Sequence, residues 1–262
     1  MKMKKLAVSM LSAGLVMTMG AEAVMGNTDE ENQNDRSATS EVKVQFSVPD
    51  EADVKLYNPE NLKKIDKDDA EKLGKVTNSK GKLTLDVVPL LDFKGKNIDA
   101  SYEEYLFYTE SDHHLQVTDR RGTGAGWNVT ARAENFKDAT GAMTLPSSEI
   151  TFEEGDVQSP VDFQKSQKPT SNGFTLETGK EATKVASANA SPEGEAIDKA
   201  QGVGAWLIKW FSNNEDVENE KVKLKVPARS ASAGEHTTKI IWTMEDGPYK
   251  SGQVATDTTE SQ

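Results

Sequence analysis

No cysteine occurs among the 262 residues, which excludes disulfides, thiolate metal sites, thiol nucleophiles and a lipid-attached N-terminal cysteine. Basic residues are the minority, 31 against 43 acidic, for a net charge of −12. Phosphate neutralisation needs clustered Lys and Arg, so nucleic acid is not an expected partner, and neither is an anionic membrane surface. Histidine is limited to His113, His114 and His236, and no G-x-S-x-G segment occurs, which removes the serine-hydrolase elbow. Aromatics make up 6%, so each large ring carries information. There is no heptad pattern, no repeat of fixed period and no second long apolar run after the N-terminal one. What is left is 35% hydrophobic, enough for a buried core in one large domain or two small ones.

The one long apolar run lies in residues 1–23, which read as a secretory signal. Lys2, Lys4 and Lys5 give the positive start, Leu6 to Gly20 the apolar stretch, and Ala21-Glu22-Ala23 the small residues of a cleavage site. Fifteen residues, interrupted by Ser9, Ser12 and Thr18, fall short of the roughly 20 that span a bilayer. Cleavage after Ala23 removes three Lys and one Glu and leaves a mature charge of −14. The sequence thus predicts an exported acidic protein with no membrane insertion after cleavage. No L-P-x-T-G sorting signal occurs, so attachment to a cell surface is expected to be non-covalent.

Residues 24–41 are polar, rich in Asn, Asp, Glu and Ser, and read as a flexible arm. From residue 42 the pattern becomes strict alternation. Val42, Val44, Phe46 and Val48 alternate with Lys43, Gln45 and Ser47, the period of a half-buried strand. The same period returns in Leu83-Leu85-Val87, Trp127-Val129-Ala131, Phe174-Leu176, Val222-Leu224-Val226 and Ile240-Trp242-Met244. Turn residues separate these runs at 78–81, 122–126, 171–173 and 233–234. The expected fold class is mostly β, an antiparallel β-sandwich or barrel-like domain over 42–250, followed by a polar tail at 251–262. One short helix is expected from Asp66 to Leu73, with early acids and Gly74 as its stop. Lys180 to Ala190 reads as a second helix or a surface loop.

Few constellations point to chemistry. His113-His114 follows Asp112, but adjacent strand residues face opposite ways, so the pair reads as a polar loop before a strand, with no metal site. Gly122-Thr123-Gly124-Ala125-Gly126 resembles a phosphate cradle only superficially. A dinucleotide loop opens a helix, whereas this one leads into Trp127-Asn128-Val129-Thr130, a strand. No cofactor is expected. Paired carboxylates for sugar hydrolysis, about 5–10 Å apart, are not legible among 43 acids. The four tryptophans are Trp127, Trp206, Trp210 and Trp242. Trp127 and Trp242 each share a strand face with an aliphatic residue two positions on. They read either as core, each burying about 150–250 Å², or as an exposed platform for stacking on sugar rings.

Two segments carry a resemblance to a known family. Leu115 to Asp119 followed by Arg120-Arg121-Gly122-Thr123-Gly124-Ala125-Gly126-Trp127-Asn128-Val129 resembles the first signature of WxL-domain surface proteins of Gram-positive bacteria. Lys239-Ile240-Ile241-Trp242-Thr243-Met244-Glu245-Asp246-Gly247-Pro248 resembles the second. Val222 to Ala228 with Ala233-Gly234 is similar to the strand and turn before it, and Leu83 to Phe93 to the opening strand and aromatic turn. Val129 and Met244 stand where the family has Leu. The resemblance implies a non-enzymatic protein held non-covalently on the cell wall, by peptidoglycan, and assembled with membrane-anchored surface proteins. The implied binding residues are Trp127, Asn128, Val129, Trp242, Thr243 and Met244. Apart from the resemblance, Arg120 and Arg121 are candidate anion or glycan contacts, and with Arg132 they would form an anion-reading patch if retention on the wall strengthens at low salt; Trp206 reads as core. Two other functions compete with wall binding: a protein-interaction subunit that docks an extracellular partner by strand addition or by an apolar patch, and a secreted glycan-cleaving enzyme.

Overall fold

The computed structural model describes residues 40–45, 54–98, 104–109, 113–160, 166–193, 195–211 and 219–248. The expected export signal (1–23), nearly all of the polar arm, Phe46 and Val48, and the tail at 251–262 lie outside the described residues. The chain divides into two units, Met1–Gln45 and Phe46–Gln262. In the first, residues 40–45 form no strand and are exposed, Val42 by 90% and Val44 by 75%. This corrects the half-buried strand expected there: its period is present, but the described part has no sheet to cover it.

The second unit contains β1 (Leu56–Tyr57), β2 (Lys64–Ile65), α1 (Lys67–Leu73), β3 (Lys75–Val76), β4 (Leu83–Val88), β5 (Glu104–Thr109), β6 (His113–Asp119), β7 (Trp127–Ala133), β8 (Phe136–Lys137) and β9 (Met143–Thr144). It continues with β10 (Glu149–Phe152), β11 (Asp156–Gln158), β12 (Thr170–Ser171), β13 (Phe174–Glu177), β14 (Thr183–Ala188), a 3₁₀ turn at Ile197–Lys199, β15 (Gly204–Trp210), β16 (Asn219–Pro227) and β17 (Ile240–Asp246). Three antiparallel sheets carry the fold, in the orders β11-β15-β6-β4-β3, β13-β10-β16-β5 and β12-β14-β7-β17; β1-β2 and β8-β9 are small hairpins. None of these sheets closes on itself, so the expected β-sandwich class holds and a closed barrel does not.

The runs read as alternating pack as period two requires. Leu115, Val117 and Ile208 from the five-stranded sheet meet Ile150, Phe152, Leu176, Val222 and Leu224 from the second, and Trp127, Val129 and Ala131 from the third. Helix α1 forms where expected: the Asp66 carboxylate accepts from the Asp69 N–H at 2.9 Å, and the Gly74 N–H closes the last turn on Ala70 at 3.1 Å. Two readings are corrected. Lys180 to Ala190 is neither helix nor loop across its centre but holds β14, whose Val185, Ala186 and Ala188 are buried against β7. His113 and His114 open β6 and are both buried; no polar loop is needed, because β6 is covered on both faces. On the far face, Gln116 donates to the Asp86 carboxylate at 2.8 Å and to the Lys55 carbonyl, while Thr118 also donates to Asp86. Burial pushes Asp86 up to about 6, against the pull of these hydrogen bonds and of Arg120. Burial likewise pulls His113 down to about 4, where it meets the Thr109 hydroxyl.

Candidate functional site

The loop at 122–126 turns the chain from β6 into β7. Gly122, Gly124 and Gly126 all have left-handed backbones, with φ of 67°, 63° and 74°, which glycine adopts at no steric cost. At Gly126 space matters as well: a Cβ there would lie 2.4 Å from the Ala188 carbonyl oxygen. The loop passes flush against the end of β14, and glycine is what permits it. Arg121 fastens the turn. Its guanidinium bonds both oxygens of the Asp119 carboxylate, at 2.8 and 3.0 Å, and the Gly126 carbonyl at 2.7 Å, and also pairs with Asp246 at the end of β17. Asp119 is 1% exposed, so this is a buried, charge-assisted pair rather than a surface bridge. The hydrogen bonds and charge of Asp119, with a smaller pull from Asp246, hold Arg121 in its charged form against the cost of its partial burial. Arg120 donates to the Gly81 carbonyl. Both arginines expected to meet an anion are thus built into the turn.

The two signatures are neighbours. Strand β17 pairs antiparallel with β7 so that Asp246 faces Trp127, Met244 faces Val129 and Trp242 faces Ala131. Trp127 is 0% exposed; its indole N–H donates to the Gly202 carbonyl at 3.0 Å. Trp242 is partly buried and joins an aromatic cluster, 6.0 Å from Phe152, 6.4 Å from Phe174 and 6.5 Å from Trp210 between ring centres. Val129 is fully buried and Met244 packs on the same core. Val129 and Met244 are the two positions read above as standing in place of Leu. Each is apolar and lies opposite the other across one strand pair. Trp206 is 4% exposed, a core residue as expected.

A family model described as "WxL domain surface cell wall-binding" matches residues 33–248. The chain belongs to the WxL family. It is a surface protein with a cell wall-binding domain, and the WxL family is not an enzyme family. Searches of curated proteins and of solved structures found no match. Among the described residues, no helix is long and apolar enough to cross a membrane, and no cluster of three His, Asp or Glu side chains could hold a metal ion.

The WxL strands also have a second face. Because the motif tryptophans and their partners two positions on point inward, the residue between them points outward. Asn128, Thr130 and Arg132 on β7 face away from the core, as do Ile241, Thr243 and Glu245 on β17. The register sets them in rows: Ser187, Asn128 and Glu245; then Lys184, Thr130 and Thr243; then Arg132 and Ile241. Thr243, Glu245, Arg132 and Lys184 are half-buried, whereas Asn128 is 1% exposed and its amide donates to the Gly247 carbonyl at 3.2 Å. Of the six residues expected to bind, Asn128 and Thr243 lie on this face, and the other four line the core. Sequence reading missed Thr130, Lys184, Ser187 and Glu245. Their signal was the polar half of the same alternation, legible on β7 and β17 but not on β14, which was read as a helix or a surface loop.

Proposed function

We propose that this chain attaches non-covalently to peptidoglycan through the polar face of the paired WxL strands, as one subunit of a surface protein complex. The observation that supports the reading is the in-register pairing of β7 and β17. It turns four motif side chains into the core and aligns the half-buried Thr243 hydroxyl, Arg132 guanidinium, Lys184 amine and Glu245 carboxylate on the other side. A glycan with peptide side chains offers hydroxyls, amides and carboxylates, which such a row matches by hydrogen bonds and by the Arg132 and Lys184 cations. Trp127 and Trp242 act here as the frame that keeps the row flat, not as stacking platforms.

The test is sedimentation of the chain without residues 1–23 on insoluble peptidoglycan stripped of protein and teichoic acid. Thr243→Ala and Arg132→Ala variants are expected to keep their circular dichroism spectra and melting transitions and to lose retention. Retention unchanged in both folded variants would remove the polar face from the reading. No retention of the unaltered chain would shift the reading to docking on a membrane-anchored partner, in which case retention in cells disappears with that partner.

A further inference from the structure

The polar face of the WxL strands carries charge of both signs, and the register fixes where each stands. Glu245 lies opposite Asn128, and Arg132 lies opposite Ile241. Asn128 and Thr130 are covered, whereas Glu245, Thr243, Ile241 and Arg132 are half-buried, so these four are the groups a ligand can reach. Ile241 and Glu245 are four residues apart on β17, about 14 Å at about 3.4 Å each. Strand side chains stand roughly perpendicular to their sheet. The carboxylate and the guanidinium are therefore held near opposite ends of a line, with the Thr243 hydroxyl midway and the Ile241 side chain beside Arg132.

This pattern discriminates among the chemistries of a cell wall. A polyphosphate would meet the like charge of Glu245, on a chain whose net charge is already −12. An N-acetylated glycan strand has no charge to answer either end of the line. A short peptide with an amine at one end and a carboxylate at the other answers both. At about 3.3–3.6 Å per extended residue, a stretch of about four residues spans the distance. We infer that this face takes the free stem peptide of peptidoglycan: its diamino-acid amine on Glu245, its terminal carboxylate on Arg132, an alanine methyl on Ile241 and a peptide group on Thr243. Cross-linking converts that amine to an amide and removes its charge, so the chain is directed to wall that is not yet cross-linked. The inference rests on the wall-binding reading and adds which part of the polymer is held.

The test uses the chain without residues 1–23 and peptidoglycan stripped of protein and teichoic acid, either untreated or with its free amines acetylated. Acetylation should lower retention about tenfold, the loss of one hydrogen bond to a charged group. The soluble peptide Ala-γ-Glu-Lys-Ala-Ala should displace the chain from untreated wall, and its Nε-acetyl form should not. Glu245→Gln, with its melting transition retained, should hold both wall forms equally and weakly. Equal retention of the unaltered chain on the two forms overturns this inference and leaves the wall-binding reading standing. A Glu245→Gln variant that still prefers untreated wall overturns it as well, since general charge repulsion then accounts for the preference. No sedimentation on either form overturns the wall-binding reading, and this inference with it.

Discussion

Trp127 and Gly202 form the contact on which the first WxL strand rests, and it can be tested as a pair. Trp127→Ala removes a ring that is 0% exposed and hydrogen-bonded to Gly202 at 3.0 Å. Truncating a buried Trp to Ala costs about 3–5 kcal/mol, a large part of the 5–15 kcal/mol that typically holds a domain folded. Gly202 has φ +70°, and a Cβ there would lie 2.6 Å from the Trp127 indole nitrogen and 2.7 Å from the Ala188 Cβ. Gly202→Ala is therefore expected to cost at least the roughly 1–3 kcal/mol of overpacking. Without the indole, one of the two obstructions is gone while the backbone strain and the Ala188 contact stay. The double variant should thus lose less than the sum, by about 0.5–3 kcal/mol, the usual range for residues in contact. Urea unfolding of the four proteins, followed by circular dichroism, measures the cycle. Additivity within about 0.5 kcal/mol, or a loss below about 1 kcal/mol for Trp127→Ala, would show that the indole is not closed against Gly202 and would undo the framework role given to it.

Further outcomes follow from the same geometry. Arg121→Met strands the buried Asp119 carboxylate and should cost about 3–5 kcal/mol, whereas Asp246→Asn, at a side chain 73% exposed, should cost less than about 1 kcal/mol; equal losses in denaturant melts would contradict this division. Gly126→Ala, which places a Cβ 2.4 Å from a backbone oxygen, should destabilise far more than Gly122→Ala, where no atom lies within 4 Å and only the left-handed backbone, about 1–2 kcal/mol, is at issue. The two buried titrating groups act in opposite senses. His113, near 4 when folded and 6.5 when unfolded, takes up a proton mainly on unfolding, so its contribution is lost as pH falls from about 6.5 to 4. Asp86, near 6 when folded and 3.8 when unfolded, holds its proton better when folded, so its contribution is lost as pH rises from about 4 to 6. Asp86→Asn removes the second effect, and stability measured across pH 4–6 should then move by about 3 kcal/mol relative to the unaltered chain, in the latter's favour at the acid end. Parallel profiles would refute the Asp86 assignment.

Much of the fold was legible in the sequence. Alternation identified the runs that became β4, β7, β13, β16 and β17, since a half-covered sheet imposes period two on its side chains. The acids and glycine around 66–74 fixed α1 by capping chemistry. Lys180 to Ala190 was misread because alanine and serine carry weak preferences; β14 exists because β7 offers it a partner and a core to cover. His113 and His114 were misread because covering β6 on both faces erases the alternation that marks a strand.

The site divides along the same line. Local sequence determined that Trp127 and Trp242 each sit on a strand face with an apolar residue two positions on, and that glycines precede the first. It could not determine which face is inside, since alternation is unchanged when a strand is turned over. Nor could it bring residues 127–129 and 242–244 together, because pairing across more than a hundred residues is set by register and packing rather than by neighbours in the chain. Only the tertiary structure decided that the tryptophans are core, that Arg121 ties the first signature to the second through Asp119 and Asp246, and that Asn128 and Thr243 face away from the core. Burial is a property of the assembled sheets, and no single segment of the chain encodes it.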